Sequence, residues 1–168
     1  ELKRARKLGV SYVAIHEAGY PNLLRHIDRP PPLLSVQFGD AAVADRPAVA
    51  IVGSRNASAG GLGLTRQMAA ELGQSGFTVV SGLARGIDAA AHAGSLKAGT
   101  IAMLAGGLAK PYPPEHVPLI DQILAGGGAV YSEMPLEWTA RAQDFPRRNR
   151  LVAGSSKALL KLPNALVP

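Results

Sequence analysis

The chain has 168 residues, 47% of them hydrophobic and none of them cysteine, so it is long enough for one buried core and excludes disulfides, thiolate catalysis and Cys-ligated zinc. Eighteen Lys and Arg against twelve Asp and Glu leave a net charge of +6, which suits a polyanionic partner without requiring one. No apolar run approaches the roughly 18 residues of a membrane span, and the N-terminal stretch has no signal-peptide core; a cytoplasmic location is expected.

Residues 1–47 read as a lead-in. The cluster Lys3, Arg4, Arg6 and Lys7 suits a solvated helix face, Leu23–Ile27 a short helix, and Arg29–Pro32 an extended stretch short of backbone donors. Leu33–Phe38 alternates well enough for a strand and is expected at an edge of the main sheet.

From Ala48 the pattern becomes regular, and residues 48–168 read as one unit. Strands are expected at 49–52, 77–80, 100–104 and 129–131, alternating with helices at 58–75, 86–98 and 114–125. This alternation argues an α/β fold with an open, doubly wound, mostly parallel sheet, which binds its ligands outside the carboxyl ends of the strands. The segments leaving those ends start at Gly53, Ser81, Ala105 and Ser132, and each begins with small residues, as close approach to a ligand would require.

The first of these turns, Gly53-Ser-Arg-Asn-Ala-Ser58, leads into a helix whose N-cap is expected at Ser58. Backbone N–H groups there favour an anion, and Arg55 adds a full charge. The spacing fits neither a dinucleotide fingerprint nor a Walker A loop, so no nucleotide cofactor is expected. The second constellation lies downstream, where Arg141, Arg147, Arg148 and Arg150 fall within ten residues against the single acid Asp144. Pro146 suits the first turn of a helix over 144–154, with Phe145 beside the guanidinium groups. An aromatic ring among arginines is the chemistry of single-stranded nucleic acid, stacking a base while cations follow the phosphates.

Other candidates point less clearly to chemistry. Asp88 and His92 are four apart on a predicted helix, the spacing of a base and its orienter, but no nucleophile accompanies them and a capping or surface role is favoured. Glu133, at a strand end, suits either a general acid or base or a hydrogen-bond acceptor for Arg55 or another rim arginine. No His, Asp or Glu group has metal-ligand spacing.

Five motifs in order, Val52–Ser58, Val80–His92, Pro111–Glu115, Ser132–Pro135 and Phe145–Arg150, resemble the DNA-processing protein A (DprA/Smf) family, and the likeness covers nearly all of residues 10–155. The resemblance implies an extended Rossmann fold without established catalytic activity, which binds single-stranded DNA and helps to load RecA recombinase on incoming DNA in natural transformation. A homodimer is also implied. The DNA site carried over comprises Ser54, Arg55, Ser58, Phe145, Arg147, Asn149 and Arg150, and Arg141 just upstream resembles a basic position of the same pocket; Arg85 and Arg148 complete the expected nucleic-acid-binding set. The rival reading, a phosphoribohydrolase-like Rossmann enzyme, would need a Pro-Gly-Gly-x-Gly-Thr loop, and Ala105-Gly-Gly-Leu108 lacks its Thr and the following Glu. Past Arg150 the likeness thins: Lys157–Leu162 fits a further strand, and the family pattern beyond it is missing, so the C-terminal end is expected to be incomplete or divergent.

Overall fold

The order of apolar and turn residues is translated into twelve helices and strands in a computed structural model that describes residues 1–163; the end of the 48–168 unit, residues 164–168, lies outside the described residues. Helix α1 (Leu2–Lys7) and strands β1 (Ser11–Ala14) and β2 (Leu33–Phe38) come first. Then follow β3 (Ala48–Gly53), α2 (Ala59–Gln74), β4 (Thr78–Ser81), α3 (Ile87–Ser95), β5 (Thr100–Met103), α4 (Val117–Ala125), β6 (Ala129–Ser132), α5 (Asp144–Gly154) and β7 (Ala158–Leu162). The helix expected over 86–98 tightens to a 3₁₀ turn at Leu96–Ala98, and the one expected from 114 starts as a 3₁₀ turn at Pro114–His116.

The strands form a single mixed sheet in the order β1-β2-β6-β5-β4-β3-β7. Strands β3 to β7 pair with one another in parallel, while β2 pairs antiparallel with β6 and with β1. Leu33–Phe38 is therefore next to the edge, and the edge is β1, four residues that carry no helix or strand signature of their own in the sequence. Strand order reverses at β3, which has β4 on one side and β7 on the other. Right-handed crossovers running both ways from this point place helices on opposite faces.

The core follows that division. Ala50, Val80, Ile101, Met103 and Tyr131 point to one face, where they meet Leu151 and Val152 of α5 together with Tyr20, Leu24 and Leu34 from the lead-in. Ile51 and Val79 point to the other, against Ala69 of α2 and Ile87 and Ala91 of α3, and Ala102 and Val130 meet Ile120 and Ile123 of α4. Residues before Ala48 thus share the core of those after it. Tyr20 is fully buried and its hydroxyl donates to the Pro31 carbonyl at 2.8 Å, fastening the proline-rich stretch to the sheet. All the strand ends that can present a ligand site, those of β3 to β7, open on one side of the molecule.

Candidate nucleic-acid interface

The turn after β3 is built as the local sequence predicts. Ser54 Oγ accepts from the Asn56 amide at 3.1 Å, and Ser58 caps α2 by accepting from the Gly61 amide at 3.2 Å. Arg55 is exposed, and its guanidinium lies over the ring of Phe145 with 5.3 Å from the guanidinium carbon to the ring centroid. Tyr112 meets the same ring, edge-on to Phe145 at a centroid distance of 5.6 Å. Residues ninety positions apart in the chain, Arg55 and Phe145, therefore form one surface feature.

The second turn, after β4, is held from inside. Asp88 is 5% exposed and accepts from the amides of Gly82 at 3.2 Å and Ala84 at 3.3 Å. Burial pushes its carboxyl up, while Arg148 and the amide donors pull it down. Leu83, fully buried, takes a left-handed conformation with φ of 60°, and its carbonyl meets His116 Nδ1 at 2.8 Å. His92 is fully buried with Nδ1 2.9 Å from Thr100 Oγ1. Asp88 thus holds the turn after β4, while His92 bonds Thr100 of β5 and, being fully buried, has neither the capping nor the surface role expected of it.

The arginine run separates around α5, whose buried face consists of Asp144, Arg148, Leu151 and Val152. Asp144 Oδ2 accepts from Trp138 Nε1 at 2.9 Å and from the Arg141 amide at 2.8 Å, and these bonds, the Trp138 one foremost, hold its carboxyl below the usual range. Arg141 itself is exposed and stacks on Trp138 at 4.6 Å. Arg147 and Arg150 turn to the far side of α5, where both pair with the nearly buried carboxylate of Glu133, Arg147 Nε at 2.9 Å. Of the two readings of Glu133, the structure selects the hydrogen-bond acceptor, and its partners are these two arginines rather than Arg55. Arg148 is buried, with Nη1 donating to the Met103 carbonyl at 3.0 Å. Asn149 is exposed, and Arg85 is exposed and paired with Glu115.

The candidate residues consequently sort into separate hollows. Arg55, Arg85, Phe145, Arg148 and Tyr112 line a small one of about 30 Å³. Arg55 and Arg148 also line a cleft of about 660 Å³ at the β3–β7 reversal, which adds Ser54, Asn149 and Lys161. Arg147 and Arg150 line a groove of about 1090 Å³ walled by Pro30–Leu33, Met134 and Pro135. Arg141 and Ser58 line none of the three.

Two small residues expected to admit a ligand have a nearer reason. A Cβ on Gly82 would stand 1.5 Å from Arg148 Nη1, so this glycine makes room for a side chain of the protein itself. A Cβ on Gly107 would stand 2.1 Å from the Pro135 carbonyl oxygen, so the 105–108 loop is small in order to pack against the segment that follows β6. Tyr112 and Lys161 were not singled out by sequence reasoning; Tyr112 sits inside the quoted Pro111–Glu115 motif, but only the fold brings its ring to Phe145. Among the described residues no group of three or more His, Asp and Glu could hold a metal ion, and no helix is long and apolar enough to cross a membrane.

The profile of the DNA recombination-mediator protein A family matches residues 11–163. The chain belongs to this family. It is similar to the protein Smf of Synechocystis sp., 39% identical over 165 residues that make up 95% of this chain and 41% of that protein. It is likewise similar to the DNA processing protein DprA of Bacillus subtilis, 34% identical over 92% of this chain and 52% of that protein. The chain thus spans about half the length of these curated relatives. Among solved structures, that of Helicobacter pylori DNA processing protein A, described for its unique single-stranded DNA binding mode, superposes with a TM-score of 0.81 at 29% identity, over 92% of this chain and 70% of that one. The family's fold and the mixed, mostly parallel sheet described above agree.

Proposed function

We propose that the surface formed by the Gly53–Ser58 turn and the N-terminal half of α5 binds single-stranded DNA, a phosphate lying on the turn beside Arg55 and a base stacking on Phe145. The observation that carries this reading is the Arg55–Phe145 contact at 5.3 Å with Tyr112 edge-on to the same ring, an aromatic and cationic surface at the carboxyl ends of parallel strands. Stacking and phosphate neutralisation together give affinity with little sequence preference, because every base has a π-face. The Helicobacter relative's description points the same way.

The site is read as binding rather than catalytic, since Asp88 is occupied by two amides and His92 is sealed in the sheet. The partners belong to the same proposal: the family's description as a recombination mediator supports delivery of the bound strand to RecA, and a second copy of the chain is the other partner proposed. Co-precipitation of purified RecA in the presence of an oligonucleotide, and sedimentation of the chain alone, test these two.

Fluorescence anisotropy with a labelled oligo-dT tests the binding itself. If about four or five phosphates are neutralised, log K against log salt concentration has a slope of roughly −3. Arg55→Ala lowers affinity and makes that slope shallower by about 0.7, the share of one phosphate contact. A flat salt dependence for the unaltered protein contradicts the proposal.

A further inference from the structure

The four arginines of the 141–150 run carry the same charge, yet one of them is buried in the protein. Arg148 is 5% exposed, against a side-chain exposure of 56% for Arg147 beside it. Its guanidinium is inserted between two strand ends. Nη1 donates to the carbonyl of Met103, the last residue of β5, and the group fills the space over Gly82, the first residue past β4.

The anchoring of α5 gives this placement a consequence. Leu151 and Val152 hold the C-terminal half of the helix in the core. In the N-terminal half only Asp144 and Arg148 are buried, and the side-chain bonds of Asp144 go to Trp138 and Arg141 in its own approach loop. Arg148 is therefore the tether from the first turns of α5 to the sheet. Phe145 lies three residues before it, on an adjoining part of the helix surface. The roll of α5 that sets the Phe145 ring over Arg55 is fixed through Arg148.

Resting on the reading of the Arg55–Phe145 surface as a single-strand site, we infer that Arg148 is a positioning residue for it: a buried tether that sets Phe145 and makes no phosphate contact. Burying a guanidinium is expensive, and an apolar side chain would pack there at lower cost. What an apolar residue cannot do is bridge from a helix to a strand-end carbonyl while lying flat on a glycine; Arg has the length and the planar fork to do so. Asp88 compensates the charge through space, and burial nevertheless draws the guanidinium's pKa down.

A binding cycle on the full chain separates this from a direct DNA contact and from a purely structural role. Arg148→Lys keeps the charge but loses the planar fork, and it is expected to bind oligo-dT about fivefold more weakly with the salt slope unchanged. In a Phe145→Ala background the same change costs nothing further, because the ring it positions is gone. Gly82→Ala, whose Cβ collides with the guanidinium, reproduces the loss without touching α5. Circular dichroism and thermal melts confirm that each variant is folded; should Arg148→Lys not fold, Gly82→Ala alone and combined with Phe145→Ala gives the same readout. Additive losses in the cycle, or a slope shallower by about 0.7, overturn the inference. Unaltered protein that binds no oligonucleotide overturns the underlying reading and this inference with it, whereas normal binding by folded Arg148→Lys and Gly82→Ala overturns the inference alone.

Discussion

The two flanks of α5 receive arginines from the same run and treat them oppositely. On one flank Arg147 and Arg150 lie along a wide groove and share the carboxylate of Glu133; on the other Arg148 is buried against β4 and β5 beside the exposed Arg55 and the half-buried Phe145. A cluster of like charges in the sequence is thus two different objects. One is a partly neutralised surface, open to solvent and salt. The other is a piece of internal framework whose charge is compensated by Asp88 and whose value lies in its shape.

Removing the compensation on the buried flank has the largest expected effect on stability. Asp88→Ala leaves the buried Gly82 and Ala84 amides without their acceptor and removes the negative charge that acts on Arg148 through space, and it should lower stability by about 1–3 kcal/mol in urea denaturation. A loss below about 1 kcal/mol would mean that this flank carries a lone cation easily, and the contrast with Arg147 would fail.

Acid should also distinguish the buried region. Burial above all, with the charges of Arg148 and His116 adding to it, holds His92 at about 3, below its ordinary value of 6.5. A base whose folded pKa is depressed takes up its proton more readily in the unfolded chain. Its contribution is complete above pH 6.5 and is lost as pH falls toward about 3. Asp88, raised by burial, acts in the opposite sense just above its ordinary 3.8 and offsets part of the loss. The stability of the unaltered protein should therefore fall more steeply between pH 7 and pH 5 than that of His92→Gln; equal slopes would mean that His92 contributes nothing to this dependence.

Smaller effects on stability belong to the exposed side. Phe145→Ala should weaken oligo-dT binding by about 1–3 kcal/mol, measured by anisotropy, with a modest change in stability. Arg147→Ala should change stability by less than about 1 kcal/mol, since its guanidinium is more than half exposed and Arg150 still pairs with Glu133. A larger loss would mean that the groove flank is framework as well.

Much of this was legible in the residues because apolar runs and glycine stops are local signals. The β3 to β6 alternation, the Gly53–Ser58 turn and a helix with Pro146 in its first turn are all read from neighbouring positions. The burial of Arg148 carried a local signal too: it stands four residues after Asp144 and three and four before Leu151 and Val152, the helical period of one face, and Asp144, Leu151 and Val152 are all buried. Charge concealed it. Strand β1 was not legible, since Ser11–Ala14 is short and its pairing with β2 is settled only by tertiary packing. Tyr112 and the division of the arginines among three hollows depend on which strand ends lie side by side, which no window of sequence contains.

The central claim is about place, so it is tested most directly by photocross-linking an oligo-dT that carries 5-iododeoxyuridine and mapping the adduct by mass spectrometry. Adducts are expected on Phe145 or Tyr112, reduced in yield when Arg55 is replaced by alanine. Cross-links confined to Tyr12 in the Arg147–Arg150 groove, or to Trp138 beneath Arg141, would contradict that claim.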